Sequence, residues 1–244
     1  MPRRNPNAKR ANRENPRIDR NPSPPCDETR RGRRVELIPR NLGQERYIDA
    51  LLDASKPIVV ASGPAGCGKT YLCTLFAIKM LHEGLIERII ITRPAVSNGE
   101  ELGALPGTLI EKMAPWTRPL IDVFREFYSA KTIINLLQTE TVEICPLGFM
   151  RGRTFKNSIV IFDEAQNSLI GQMKMCLTRI GEGTRMFITG DLGQTDHGYE
   201  ENGMRDFLAR LKHDDRNGIA VCYFGKNDVE RHPIIETILR LYDA

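Results

Sequence analysis

Pro57-Ile-Val-Val-Ala-Ser-Gly-Pro-Ala-Gly-Cys-Gly-Lys-Thr70 is an apolar, partly β-branched run that ends in a glycine-rich turn, and a helical pattern follows it to about His82. The order is strand, loop, helix. Within it, Gly63, Pro64, Ala65, Gly66, Cys67, Gly68, Lys69 and Thr70 match the Walker A pattern in the context its mechanism requires. Glycines let backbone N–H groups converge on phosphate oxygens, and the N-terminus of the following helix adds partial positive charge. Lys69 is placed to reach the β- and γ-phosphates of ATP, and the Thr70 hydroxyl to coordinate Mg2+. Cys67 lies at a tolerant position of the motif and reads as a small filler rather than a redox switch.

Working outward, short apolar runs recur at Arg88–Thr92, Val142–Cys145, Ser158–Phe162, Arg185–Thr189 and Gly218–Phe224, separated mostly by helical patterns. Buried strands alternating with helices predict an α/β fold with a mainly parallel sheet covered by helices on both faces. Upstream, Leu42, Tyr47, Ile48, Leu51 and Leu52 share one helical face. Between Asn98 and Ser129 the rhythm breaks at Gly103, Pro106, Gly107, Pro115 and Pro119, which predicts an insertion of loops and short helices.

A phosphate loop needs a carboxylate near its metal. Ser158-Ile-Val-Ile-Phe-Asp163-Glu164 supplies one at a strand's C-terminal end. Asp163 is the expected partner of the magnesium shell, and Glu164 the base that orients and deprotonates water. A third strand ends in Thr189-Gly190-Asp191-Leu-Gly193-Gln194, from which Gln194 is placed to contact the γ-phosphate or the attacking water. Arg93, Arg151 and Arg153 stand at or beyond strand ends or ahead of the carboxylates, where guanidiniums bind nucleic-acid phosphate or a neighbouring subunit's nucleotide, or serve surface solubility alone.

Composition bounds the class. The 244 residues, 41% hydrophobic and 27% charged, suit one globular domain with extensions. Residues 1–34 hold eleven Arg or Lys against four Asp or Glu and six prolines, a balance of +7 within a whole-chain charge of +4. The remainder carries −3, so the basicity belongs to an expected disordered tail, and residues 35–244 form the expected domain. The six cysteines contain no Cys-x-x-Cys pair, which points to neither a disulfide framework nor a zinc site. With no long apolar run and no secretory signal pattern, a cytoplasmic protein without a membrane partner is expected.

Residues 41–242 resemble the PhoH family of P-loop ATPases, related to the catalytic domain of superfamily-one helicases. The likeness rests on Thr92-Arg-Pro-Ala-Val96, Leu105-Pro-Gly107, Met150-Arg-Gly-Arg-Thr-Phe155, Asp163-Glu-Ala-Gln-Asn167, Gln172-Met-Lys174, Leu177-Thr-Arg179, Thr189-Gly-Asp191 and Arg231-His-Pro233. It implies a RecA-like P-loop fold and ATP hydrolysis coupled to RNA or single-stranded nucleic acid, with helicase-like activity. It also implies that Gln44 reads the adenine, against the plainer reading of a helix-surface glutamine. One RecA-like domain fits the chain where superfamily-one helicases use two. The completing arginine must then come from the same domain or from another copy of the chain. By resemblance Arg231 is the candidate for service to a neighbouring subunit in a homo-oligomer, a hexameric ring, unless it merely pairs with Glu230 or Asp228. The competing readings are a P-loop kinase of a small metabolite and a slow ATP-gated binding switch.

Overall fold

The computed structural model describes residues 34–94, 109–194, 202–211 and 218–231, with positions 234, 235, 238 and 241 of a C-terminal helical segment. The basic tail up to Arg33, the Leu105-Pro-Gly107 motif and His232-Pro233 lie outside the described residues.

Helix α1 (Leu42–Leu52) opens the domain, with the Asn41 side chain accepting the Gln44 N–H at 2.9 Å as its N-cap. Strand β1 (Ile58–Ser62), helix α2 (Lys69–His82) and strand β2 (Arg88–Thr92) follow. Next come α3 (Leu109–Arg125), α4 (Ala130–Gln138), β3 (Val142–Ile144), β4 (Ser158–Phe162) and α5 (Ile170–Leu177). Strand β5 (Arg185–Gly190), helix α6 (Gly203–Leu211) and strand β6 (Ile219–Tyr223) complete the described core.

The strands form one sheet in the order β3-β2-β4-β5-β1-β6, and every ladder is parallel. Alternation of side chains divides them between two cores. Val59, Ala61, Ile89, Ile91, Ile159, Ile161 and Phe187 pack with residues of α1, α2, α3 and α4. Val60, Ile90, Val160, Phe162, Met186 and Ile188 face the other way, against α5, α6 and the turn at 147–150. Burial on both faces is why these strands read as unbroken apolar runs, each large side chain contributing about 1.5–3 kcal/mol. The expected α/β fold, a parallel sheet covered by helices on both faces, is the fold observed, and the expected strands form with boundaries within a residue or two.

The insertion differs from expectation. Its described part, Leu109–Arg125, is a single 17-residue helix that contains both Pro115 and Pro119. Each proline removes one backbone donor. The apolar stripe of Leu120, Val123 and Phe124, buried in the core beside α2, outweighs that loss, because tertiary packing supplies most helical stability.

The order matters for the site. Strand β5 lies between β1 and β4, so in a parallel sheet the Walker A loop, the Asp163-Glu164 pair and the Asp191–Gln194 turn all emerge at one edge.

Candidate nucleotide site

The loop wall of the site is held by segments distant in sequence. Gly66 and Gly68 have positive φ, and Gly68 is the left-handed N-cap of α2. Gly63 has no room for a side chain, since a Cβ there would come 2.6 Å from Phe224. Lys69 is buried, and its ammonium donates to the Gly63 and Pro64 carbonyls at 2.7 and 2.8 Å. Burial lowers its pKa from the ordinary lysine value, opposed by the nearby Cys67, Asp191, Glu164 and Asp163. The buried Gln44 donates from Nε2 to the Cys67 carbonyl at 3.1 Å, while its Oε1 accepts the Arg40 N–H at 3.0 Å. Gln44 is therefore not a surface glutamine, and one donor and one acceptor position of its amide remain for other partners.

The segment after β6 closes over the same loop. The Glu230 N–H donates to the Gly66 carbonyl at 3.0 Å, and Asn41 Nδ2 donates to the Asp228 carbonyl and Glu230 Oε1 at 3.1 and 3.0 Å. Arg231 consequently lies over Gly66 of its own chain, where a Cβ would stand 2.8 Å from its Cγ and 3.0 Å from its Cδ. Strand β6 pairs with β1, and that adjacency brings Arg231 to the loop of its own chain.

The opposite wall carries the acids. The buried Asp163 accepts through Oδ1 from the Thr70 hydroxyl at 2.7 Å and the Thr189 hydroxyl at 2.6 Å. Glu164 adopts φ 53, ψ 39, a left-handed conformation that costs a residue with a Cβ about 1–3 kcal/mol. Its Oε2 accepts from Gln166 Nε2 at 2.6 Å, and its Oε1 lies 3.9 Å from Arg93 Nη2. The other end of the Gln166 amide accepts the Asp191 N–H at 3.1 Å, joining the ends of β4 and β5. Gln194 donates its backbone N–H to the Asp191 carbonyl at 3.1 Å. Between the walls is a cleft of about 270 Å³ lined by Ala65, Gly66, Gly68, Lys69, Thr70, Tyr71, Asp163, Glu164, Gly190, Asp191 and Gln194.

Among the nucleic-acid candidates, Arg93 reaches the cleft through Glu164, whereas Arg153 is held in a bidentate pair with Glu143 and lies over the Phe155 ring. Hydrogen bonding from Arg153 holds the Glu143 carboxyl below its ordinary pKa. Arg151 is exposed.

Sequence reasoning assigned no role to Gln166, Thr189, Asn41 or Tyr71. Gln166 and Thr189 stand inside motifs already quoted, so a polar residue beside an acid at a buried strand end was the available signal. Asn41 and Tyr71 carry no such mark.

The donor set fits magnesium nucleotide. Mg2+ is bound by one or two protein oxygens together with substrate phosphates, and Thr70 and Asp163 bring two hard oxygens together. Among the described residues no group of three or more His, Cys, Asp and Glu converges as a metal cage. Nor is any described helix long and apolar enough to cross a membrane.

The family profile described as "PhoH: PhoH-like protein" matches residues 36–243. A PhoH-like protein of Synechocystis is 42% identical over 216 residues, covering 88% of this chain and 64% of its own. One from Bacillus subtilis is 43% identical over 206 residues, with 84% and 63% covered. Protein PhoH of Escherichia coli K12 is 41% identical over 209 residues, with 84% and 58% covered. The chain thus spans between 58% and 64% of the length of these relatives. Among solved structures, the helicase domain of Pyrococcus furiosus Hef aligns with a TM-score of 0.45 and 12% identity, covering 78% of this chain and 38% of that one.

Proposed function

Since the chain belongs to the PhoH family of P-loop proteins, we propose that it binds ATP with Mg2+ in the cleft, hydrolyses it, and couples hydrolysis to RNA or another single-stranded nucleic acid. One observation carries this reading. Glu164, in a strained backbone conformation and held by Gln166, faces the same cleft as Lys69 and the Thr70–Asp163 pair.

In this reading the glycine-rich loop and the N-terminus of α2 receive the phosphates, and Lys69 exchanges its two loop carbonyls for phosphate oxygens. Thr70 and Asp163 would hold the magnesium ion, which would supply positive charge to the phosphates. Glu164 accepts a proton from water as the water oxygen attacks the terminal phosphorus, and the bond to the leaving β-phosphate oxygen breaks. Gln166 fixes the direction of that carboxylate, and Gln194, on the cleft wall, contacts the γ-phosphate or the water. Arg231 adds positive charge over the loop from the same chain. Gln44 uses its remaining amide positions on the adenine edge.

This reading takes the arginine from the same chain, supported by the position of Arg231 over Gly66. The hexameric ring implied by the family resemblance stands as a separate proposal, tested by native mass measurement.

Labelled ATP is the direct assay. Free phosphate should be released, and turnover should rise when single-stranded RNA is added at low salt. A labelled metabolite in place of phosphate, or flat turnover across RNA and DNA sequences, would contradict the reading.

A further inference from the structure

Because the sheet is parallel, the chain leaves β3 at the edge where the cleft opens, two strands from β4. It then makes a 3-10 turn, Leu147–Met150. Leu147 and Met150 are buried and seat this turn in the core. Phe149, between them, is 62% exposed.

The support beneath that ring is rigid. The Phe149 N–H donates to the Pro146 carbonyl at 2.9 Å and the Arg153 N–H to the Met150 carbonyl at 3.2 Å. The Arg153–Glu143 pair clamps the turn to β3, and Arg179 Nη1 donates to the Arg153 carbonyl at 3.1 Å. An outward ring on such a support is preorganised for contact. Two positions further along is Arg151, exposed and without a hydrogen-bond or ionic partner among the described residues. Gly148 and Gly152 flank the pair, and a Cβ at either would meet nothing within 4 Å.

An exposed aromatic ring two residues from an exposed guanidinium, with glycines leaving room for a backbone, matches a nucleotide unit: the base stacks on the ring and the phosphate meets the arginine. An apolar protein partner fits less well. Within the turn the exposed ring is flanked by glycines and a charged residue, where a protein interface requires a contiguous apolar patch. We propose that Phe149 and Arg151 form a binding site for single-stranded nucleic acid, with Phe149 as the stacking platform for one base. The inference rests on the nucleic-acid coupling proposed above. It also places the bound strand on the side of the cleft where Arg93, which faces Glu164, follows β2.

The test compares a short fluorescein-labelled single-stranded RNA with the same strand made abasic, using the full chain. Phosphate contacts, including any from the basic tail, are common to both strands, so the affinity ratio isolates stacking. The wild type should prefer the base-bearing strand. Phe149→Ala should weaken that strand's binding roughly tenfold and abolish the preference, while Phe149→Trp should restore it. Arg151→Gln should weaken both strands alike and reduce the salt slope by about 0.7. Thermal unfolding midpoints matching the wild type confirm that the variants fold.

The inference is overturned if Phe149→Ala keeps the preference, if it weakens both strands equally, or if Phe149→Trp fails to restore it. A change in native mass with unaltered RNA affinity also overturns it, by assigning the ring to a protein contact. If the wild type binds RNA and its turnover rises while Phe149→Ala behaves normally, only this site is lost. If the wild type binds neither strand, the nucleic-acid coupling fails with it.

Discussion

On the loop wall of the cleft, position is set by ties to remote parts of the chain. Gln44 holds the Cys67 carbonyl, Glu230 holds the Gly66 carbonyl, and Asn41 holds the segment that carries Arg231. On the acidic wall the contacts converge on two adjacent carboxylates: Thr70 at the start of α2 and Thr189 of β5 on Asp163, and Gln166 and Arg93 on Glu164. The first wall is relaxed and cross-braced, whereas the second keeps a non-glycine residue in left-handed backbone geometry. Strain retained at a buried strand end indicates that the direction of the Glu164 carboxylate is what the surrounding contacts maintain. The loop wall should therefore govern binding and charge, and the acidic wall the chemical step.

Substitutions on each wall can break this division. Lys69→Ala should have the largest effect, lowering turnover by about 10³-fold or more together with ATP affinity, measured by phosphate release and by nucleotide titration. Arg231→Ala should lower turnover at least about tenfold while ATP still binds. Because the arginine lies over its own loop, mixing Arg231→Ala with Lys69→Ala chains should recover no activity; recovery would return Arg231 to a neighbour's site.

Gln166→Ala sharpens the contrast from the acidic side. It frees the Glu164 carboxylate and the Asp191 N–H, so kcat should fall by about tenfold with KM for ATP unchanged. A rise in KM alone would instead make Gln166 a binding residue. The smallest effect is expected at Gln44. Its truncation leaves the Cys67 carbonyl and the Arg40 N–H without their partner, at a cost of about 1–3 kcal/mol. In a domain of this size each kcal/mol lowers the melting temperature by about 2–4 °C, which calorimetry would read. An unchanged midpoint would show that this brace does not hold the loop.

The strands were legible because burial on both faces writes them as continuous β-branched runs, such as Ile89-Ile90-Ile91 and Ile159-Val160-Ile161. The walls were legible where a motif is contiguous, as in Gly63–Thr70 and Asp163-Glu164. Contacts made by sheet order were not. Gln166 and Asp191 are 25 residues apart and meet only because β4 pairs with β5. Arg231 reaches Gly66 only because β6 pairs with β1, and no local pattern separates that from service to a second chain. Helix α3 hid behind Pro115 and Pro119, since local propensity does not record the core that buries Leu120 and Phe124. Nothing in the local sequence separates Phe149 from Leu147 and Met150; its exposure does.

The central claim is that Glu164 performs the proton transfer in a site assembled by one chain. Glu164→Gln tests it most directly, with ATP binding and phosphate release measured on the same sample. The amide preserves the shape of the side chain but cannot accept the proton of water. ATP should bind as in the wild type, and turnover should fall by about 10²–10⁴-fold. Turnover at the wild-type rate would contradict the account and leave Glu164 a structural acid beside Asp163.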